Sequence, residues 1–284
     1  MALTDTRELL KKAQNGGYAI GAFNTENMEI MQAVFEAAEE TQSPFILQTT
    51  PSMLKYATPE VFFGMARGLS LASGVPVALH LDHGNSFAAA AKCLRAGYTS
   101  VMIDGSKLGF EENIELAKRV VDMCAPCAVP VEAELGKVGG KEEEVHTDDP
   151  DYTDPAEAED FCRRTGISSL AVAIGTAHGF YKGKPVLDLE RLGEIRRRVE
   201  IPLVLHGASG LTDEDVQNCV RLGICKVNFA TELRNAYTEG VKDTLAGNPL
   251  LFDPKEFGKV GRARVKQLVI QRMIVCGAAG KAHA

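Results

Sequence analysis

The sequence predicts a closed barrel of eight parallel strands with helices between them, the (β/α)8 or TIM barrel, followed by a C-terminal helical extension. Short apolar runs alternate with amphipathic stretches of helical period along the 284 residues. Eight such runs recur on average about every 29 residues, which is enough for a strand, two loops and a helix. Eight alternating units in one domain-sized chain favour a closed barrel over the alternative, a doubly wound open sheet.

Each predicted strand is a short run of β-branched and other apolar residues between turn-forming residues. The eight runs cover residues 18–23, 44–49, 75–82, 100–104, 129–135, 169–175, 202–206 and 225–230. Apolar residues recur at the helical period over residues 28–40, 87–95, 111–123, 154–164 and 213–222. Thr212 stands where the last of these helices needs an N-terminal cap, and acidic residues follow it in the first turn.

Two stretches are longer than the barrel repeat allows. Residues 136–155, GKVGGKEEEVHTDDPDYTDP, are glycine-rich and then acidic, and they far exceed a usual strand-to-helix loop. A loop of this length inside a compact barrel is typical of a lid over an active site. Residues 248–284 are expected to form a helical tail, with a helix over 255–276 that is free to pack on a neighbouring subunit. We therefore expect one domain over residues 1–284 that ends in this tail.

The composition disfavours several classes of protein. The 31 basic and 38 acidic side chains give a net charge of −7, which argues against a broad nucleic-acid surface. No apolar run approaches the roughly 18 residues of a membrane span, and the polar N-terminus is unlike a signal peptide. The 7 cysteines are an odd number scattered through apolar segments, which favours free thiols. The sequence thus predicts a cytoplasmic protein that binds neither nucleic acid nor a membrane.

Polar side chains collect at the predicted C-terminal ends of the strands, where TIM-barrel enzymes carry their active sites. In the third strand, His80 and Asp82 alternate with leucines that suit the helix layer. Similar polar positions near other strand ends are Asp104, Glu132, Glu134, His206 and Asn228. Because buried charges are costly without partners, this convergence predicts a functional site.

Three histidines stand at or just beyond the ends of the third, sixth and seventh strands: His83, His178 and His206. Three neutral imidazoles with one open position are typical of a catalytic zinc site. A hydrogen-bonded histidine at the barrel rim is the alternative for any one of them, whereas three at matched positions favour a metal. His80 lies deeper and is expected to pack inside the barrel. Neither His146 in the long loop nor His283 in the tail is expected to be a ligand.

Small residues follow the seventh and eighth strands. GASG, residues 207–210, follows the seventh strand, and NFAT, residues 228–231, ends the eighth. Many TIM barrels bind a phosphate with backbone N–H groups of these two loops. Lys182 is a candidate for a further positive charge beside the phosphate, with an ordinary exposed lysine as the alternative.

Seven sequence motifs together resemble the class II, zinc-dependent ketose-bisphosphate aldolases. They are YAIGAFN, HLDHG, SVMIDGS, VEAELGKVGG, GTAHGFYKGKP, PLVLHGASGL and KVNFATEL, and they follow the order found in that family over residues 18–233. Within the family, the motifs are most similar to those of tagatose-1,6-bisphosphate aldolases. Ala230 stands where fructose-bisphosphate aldolases often carry an acid or Asn, which favours the same subgroup.

The resemblance implies a role for each matching residue. It places one zinc ion on His83, His178 and His206, and it makes Asp82 the group that donates and accepts a proton at the C4 oxygen. Glu142 matches the acid of a mobile loop that moves the C1 proton. Asp104 and Glu134 match a second cation position, for which a monovalent cation is an option. Residues that match the binding site for dihydroxyacetone phosphate are Gly179, Gly207, Ala208, Ser209, Asn228, Phe229, Ala230 and Thr231.

The implied reaction is the reversible cleavage of a ketose 1,6-bisphosphate to dihydroxyacetone phosphate and glyceraldehyde 3-phosphate. D-tagatose 1,6-bisphosphate is the favoured substrate. The implied assembly is a homodimer or homotetramer, with an accessory subunit as an option. The alternatives are a fructose-1,6-bisphosphate aldolase of glycolysis and a non-catalytic aldolase-like subunit. The intact set of three histidines with Asp82 and Glu142 disfavours a non-catalytic subunit. A metal-dependent hydrolase fits less well, because the phosphate-loop glycines would then lack a purpose.

Overall fold

The computed structural model describes residues 3–142, 145–147, 151–179, 181, 183 and 185–283. The described strands are β1 (Ile20–Asn24), β2 (Phe45–Thr49), β3 (Val77–Gly84), β4 (Ser100–Ile103), β5 (Val131–Leu135), β6 (Gly139–Glu142), β7 (Val145–Thr147), β8 (Ser169–Val172), β9 (Ala177–His178), β10 (Leu203–Leu205) and β11 (Ile224–Phe229). Eight of them form a closed parallel barrel in the order β1-β11-β10-β8-β5-β4-β3-β2. The predicted TIM barrel is therefore confirmed, and the open doubly wound sheet is wrong.

Helices connect the barrel strands and surround them. They are α1 (Thr6–Gly16), α2 (Met28–Thr41), α3 (Pro51–Tyr56), α4 (Pro59–Ala72), α5 (Phe87–Ala96), α6 (Phe110–Cys124), α7 (Pro155–Thr165), α8 (Leu189–Arg198), α9 (Asp213–Arg221), α10 (Thr231–Gly247) and α11 (Pro254–Val275). The predicted cap is present, since the Thr212 side chain accepts a hydrogen bond from the Asp215 N–H at the start of α9. No helix in the described part of the chain is long and apolar enough to cross a membrane.

The buried apolar residues of the barrel form two clusters. The larger cluster lies between strands and helices and contains the outward-facing strand residues, such as Leu79 and Leu81. The smaller cluster joins residues near the starts of strands, such as Ile20 and Ala78, to Leu10 of α1. Helix α1 therefore closes the N-terminal end of the barrel, which leaves the C-terminal end for the polar residues.

A small second sheet contains two strands, β6 and β7, from the predicted long loop over residues 136–155, and a third, β9, that follows β8. Strand β6 pairs antiparallel with β7 and parallel with β9, so that Gly140 lies opposite His178. His178 was expected at or just beyond the end of the sixth barrel strand. That strand, β8, stops at Val172, and His178 belongs to the separate strand β9. The expected strand over residues 169–175 is too long for the same reason.

The C-terminal helix α11 packs on the chain's own helices α2 and α10. Its apolar side, with Val265, Val269 and Met273, is buried. Helices α10 and α11 approach so closely that a Cβ atom added at Gly240 would lie 2.8 Å from the Cα of Gly261. The helix is thus an integral part of the outer layer.

Candidate active site

The three histidines singled out in the sequence converge at the C-terminal end of the barrel. One ring nitrogen each of His83, His178 and His206 lies within 4.8 Å of the other two. The ring centroids are 4.6 to 6.1 Å apart, and all three side chains are buried. The structure therefore brings together the set that the sequence analysis grouped by strand position alone.

An irregularity in β3 turns His83 towards this cluster. The pairing of β3 with β4 shifts register between Leu81 and Gly84, and His83 adopts a left-handed backbone with φ of 46°. Gly84 allows this approach, because a Cβ atom there would lie 2.3 Å from the carbonyl oxygen of Met102. The side chains of adjacent residues alternate in a regular strand, so the shift lets both Asp82 and His83 serve the same site.

Backbone contacts fix the position of His178. A Cβ atom at Gly140 would lie 2.3 Å from the His178 carbonyl oxygen, so only glycine allows β6 and β9 to approach this closely. On the other side, Tyr181 Oη donates a hydrogen bond to the Gly207 carbonyl at 2.7 Å and accepts one from the Ala177 N–H at 2.9 Å. The two contacts hold His178 between the small sheet and the loop after β10.

A buried glutamate orients His206. Nε2 of His206 lies 3.1 Å from Oε1 of Glu132, and because a carboxylate only accepts, Nε2 is the donor. Glu132 is held in turn by Lys226, whose Nζ lies 2.9 Å from both carboxylate oxygens. All three side chains are at most 2% exposed. The remaining nitrogen of His206, Nδ1, faces Nε2 of His83 at 3.0 Å and Oε2 of Glu134 at 3.2 Å.

The acidic partner of His83 is Asp104. Its Oδ2 accepts a hydrogen bond from Nδ1 of His83 at 2.9 Å, and its Oδ1 accepts bonds from the N–H and the hydroxyl of Ser106. Burial alone would raise the pKa of Asp104, but the hydrogen bond and charge of His83 hold it well below its usual range. Asp104 and Glu134 also form a second group with His83 whose ligand atoms lie within 4.8 Å of one another.

The buried charges of the site favour positive charge at His83 and His206. Burial opposes protonation of His206, but its hydrogen bonds to Glu132 and Glu134 raise its pKa. Burial likewise opposes protonation of His83, but the charge of Asp82 and the bond to Asp104 raise its pKa well above the usual value. Negative side chains thus lie beside His83 and His206 and favour a cation there.

His80 behaves differently from the cluster and confirms the expectation that it packs inside the barrel. Its Nδ1 lies 2.8 Å from the Ser100 hydroxyl, which also contacts the Thr6 hydroxyl of α1 at 2.9 Å. Burial, reinforced by the charge of Lys226, lowers the pKa of His80 to about 3. His80 is therefore neutral at physiological pH and acts as a buried polar link.

Two amides hold the carboxylate of Asp82. Asn24 donates to its Oδ2 and Asn228 donates to its Oδ1, both at 3.0 Å. Gln48 Nε2 donates to Asn24 Oδ1 at 2.8 Å. Asn24 and Gln48 were not predicted as site residues, although each is a polar residue at or near the C-terminal end of an otherwise apolar strand. That is the signal by which the other site residues were found.

The two proposed phosphate loops are in contact. The Ser209 hydroxyl accepts a hydrogen bond from the Ala230 N–H at 3.3 Å, which joins the loop after β10 to the start of α10. Gly207 has a left-handed φ of 65°, and a Cβ atom there would lie 2.7 Å from the Ala177 backbone. Both features require glycine at this position. Lys182 lies outside the described residues. Glu142 has its backbone in β6, and its side chain also lies outside the described part.

The hydrogen-bond pattern shows what could occupy the centre of the cluster. His83 uses Nδ1 to donate to Asp104, and His206 uses Nε2 to donate to Glu132. The two nitrogens that face each other at 3.0 Å are therefore both lone-pair acceptors when the rings are neutral. Two acceptors repel unless a proton or a metal ion lies between or beside them. Together with His178, the residues fit a divalent metal that prefers imidazole ligands.

Comparison with known proteins agrees with this geometry. The model of the class-II fructose-bisphosphate aldolase family matches residues 4–281. The YdjI aldolase from Escherichia coli K12 is 38% identical over 99% of this chain and 100% of its own, with a TM-score of 0.88. A provisionally assigned fructose-1,6-bisphosphate aldolase from Coccidioides immitis is 31% identical over 97% of this chain and 96% of its own, with a TM-score of 0.90. A fructose-bisphosphate aldolase from Campylobacter jejuni, 24% identical over 99% and 97% with a TM-score of 0.84, shares the fold.

The Glu132–Lys226 pair gives a first prediction. Glu132→Gln leaves the buried Lys226 ammonium without its counter-charge and should lower the free energy of unfolding by about 3–5 kcal/mol. The double variant Glu132→Gln/Lys226→Met removes both charges and should recover a large part of this loss. Urea unfolding of the two variants beside the wild type measures the difference. Equal stability of the single and double variants would contradict the role assigned to the pair.

Proposed function

Since the chain belongs to the class-II fructose-bisphosphate aldolase family, and is therefore a lyase that acts on a ketose bisphosphate by aldol cleavage, we propose a specific reaction for it. The reaction is the zinc-dependent, reversible cleavage of D-tagatose 1,6-bisphosphate to dihydroxyacetone phosphate and glyceraldehyde 3-phosphate. The observation that carries the zinc dependence is the convergence of His83, His178 and His206, in which Nδ1 of His206 lies 3.0 Å from Nε2 of His83.

His83, His178 and His206 would hold one zinc ion per chain. When bound there, the ion supplies Lewis acidity that stabilises the negative charge which develops on the ketone fragment. A Schiff-base lysine does this work in metal-free aldolases, and the one lysine in the barrel interior, Lys226, is paired with Glu132 within the described structure. Asp104 and Glu134, with His83, form the group for which we propose a second cation, such as a monovalent ion.

Asp82 is the proposed proton carrier at the C4 oxygen. The amide donors of Asn24 and Asn228 orient both carboxylate oxygens without neutralising the charge. An oriented carboxylate can accept the C4 hydroxyl proton in cleavage and return it in condensation. Asn228 Oδ1 is buried and has no hydrogen-bond partner among the described residues, so it is available to accept from a substrate hydroxyl.

Glu142 is the proposed proton carrier at C1, delivered by the loop over residues 136–155 acting as a lid. Its strand pairs with the strand of His178, which supports a place close to the site. An acid permanently beside the metal would repel the anionic substrate, so delivery after binding is favoured. Closure of the loop also excludes water and protects the enediolate from premature protonation.

The phosphate of the ketone fragment is proposed to bind to backbone N–H groups of the two contacting loops. The residues are Gly179, Gly207, Ala208, Ser209, Asn228, Phe229, Ala230 and Thr231, with Lys182 as an added positive charge. The small Ala230 supports tagatose over fructose as the substrate. The name of the matching family supports the alternative, fructose 1,6-bisphosphate.

None of the 7 cysteines, all of which lie within the described part, forms a disulfide, which supports the proposed cytoplasmic location. The proposed assembly is a homodimer or homotetramer.

The metal prediction tests the centre of the proposal. Purified protein should contain about one tightly bound divalent ion per chain, and a chelator should abolish cleavage. His206→Ala should lose both the metal and the activity, whereas His283→Ala, a histidine in the exposed tail, should keep both. Metal analysis and steady-state cleavage of tagatose, fructose and sorbose bisphosphates, with and without chelator, measure this. Full activity in excess chelator would overturn the zinc dependence, and a preference for fructose would overturn the proposed epimer.

Asp82→Asn tests the proton carrier at C4. The variant should lower kcat by roughly 10²–10⁴-fold, the usual contribution of a general acid–base group, while zinc content stays at the wild-type level. The amide side chain has nearly the same shape, so the fold should be preserved. Loss of zinc in proportion to loss of turnover would instead make Asp82 a group that supports the metal ligands.

Glu142→Ala tests the lid. The variant should slow exchange of the C1 proton of dihydroxyacetone phosphate with solvent deuterium by at least about 10²-fold, with zinc still bound. Glu143→Ala removes the neighbouring acid and is the matched control, for which exchange should be unchanged. NMR of the exchanging proton gives both rates. Wild-type exchange in Glu142→Ala would mean that another group moves the proton and that the loop only covers the site.

A further inference from the structure

One arginine joins the three helices behind the phosphate loops. Arg272 lies in the last turn of α11, and its side chain is 10% exposed. Its Nε and Nη2 donate to the two carboxylate oxygens of Glu232 at 2.7 and 2.6 Å, and its Nη1 donates to Asp213 at 2.9 Å. A single guanidinium thus bridges two carboxylates from different elements, which its planar fork of donors allows.

The two carboxylates stand at the starts of the helices that follow the phosphate loops. Asp213 is in the first turn of α9, after the loop 207–212, and Glu232 is in the first turn of α10, after Ala230, which joins β11 to that helix. The hydrogen bond between Ser209 and Ala230 joins the same two loops on the site side. The spacing of the loops is therefore fixed at two places, by this bond and by Arg272.

The aromatic ring of Phe229 lies between the guanidinium and the barrel. The Arg272 Cζ is 5.5 Å from the centre of this ring, and the ring stacks on Phe23 of β1 at 5.7 Å between centroids. The guanidinium therefore packs on a ring at the end of β11, the barrel strand that also carries Asn228. A shift of Arg272 would therefore move the loop after β11 as well as the helix starts.

Charge gives the arginine a second effect on the same site. An acid in the first turn stabilises a helix, but Asp213 and Glu232, two of the four acids in the first turns of α9 and α10, stand close to the helix starts where a phosphate is proposed to bind. Left alone, these carboxylates would repel that anion. The guanidinium neutralises them from behind without occupying the site.

We infer that Arg272 is a positioning residue for phosphate binding, which sets the spacing of the two loops and neutralises the acids beside them. The inference rests on the proposed function, because it assumes that the loops bind the phosphate of the ketone fragment. It makes the C-terminal helix a support of the substrate site. The competing explanation is an ordinary structural ion pair, which would affect stability alone.

A pair of matched substitutions on the same helix separates the two explanations. Arg272→Lys keeps the positive charge but loses the fork that bridges Glu232 and Asp213. Arg264→Lys is the control, because Arg264 pairs from α11 to Asp243 of α10 at 2.7 Å, away from the phosphate loops. Titration calorimetry with inorganic phosphate and with dihydroxyacetone phosphate, steady-state cleavage and thermal unfolding are measured for both variants and the wild type.

Arg272→Lys should raise the Kd for both anions and the KM for the bisphosphate by at least about tenfold, with kcat and zinc content close to the wild type. Arg264→Lys should leave both Kd values, the KM, the kcat and the zinc content unchanged. A lower Tm with wild-type Kd and KM in Arg272→Lys would overturn the inference and leave the proposed function intact. Failure of the wild type itself to bind either anion would overturn the proposed function, and the inference with it. Should Arg272→Lys fail to fold, Arg272→Gln, measured in the same way, decides between the same outcomes.

Discussion

The ion pair between Lys226 and Glu132 inside the barrel is the interaction on which the site depends. Each charge is fully removed from water, which is tolerated only because each has a partner and further hydrogen bonds. Glu132 uses its remaining capacity to accept from His206, and this bond decides which nitrogen of His206 faces the cluster. The same polar chain continues through His80 and the Ser100 hydroxyl to Thr6 of α1. The orientation of a candidate metal ligand is therefore set from the closed end of the barrel.

Two further groups of the candidate site are likewise oriented by partners from neighbouring elements. Asp104 holds His83, and the amides of Asn24 and Asn228 hold Asp82. These partners lie on strands β1 and β11 or directly after β4, so the closure of the barrel creates them. A site of this kind needs little rearrangement before it reacts, which is the condition for effective electrostatic stabilisation.

The sequence was sufficient to predict the barrel and to identify most residues of the candidate site, because both depend on patterns along single strands. Alternation in β3 separates His80 and Asp82 from the outward leucines, and the structure confirms this separation. What could not be predicted depends on contacts between distant segments. Pairing of β6 with β9 requires knowledge that residues 140 and 178 meet, and the partner of Glu132 is fixed only by closure of the barrel. Helices α1, α3, α4, α8 and α10 were not among the stretches identified by helical period, and of these α8 is strongly charged and buries only Leu192 and Ile195.

The pairing of β6 with β9 also constrains how Glu142 can approach and leave the site. Gly139 and Gly140 look like a hinge in the sequence, but Gly140 lies against the His178 backbone so closely that a Cβ atom could not fit. These glycines are therefore an anchor, because a rotation at Gly140 would break the contact that places His178. Any motion of Glu142 relative to the three histidines has to arise in the chain after Gly140, or else carry β9 along with it. In the first case the proposed proton carrier would move while the candidate metal ligands stay fixed. In the second case closure of the proposed lid and the geometry of His178 would be one event, and the small sheet would couple substrate capture to the candidate metal site.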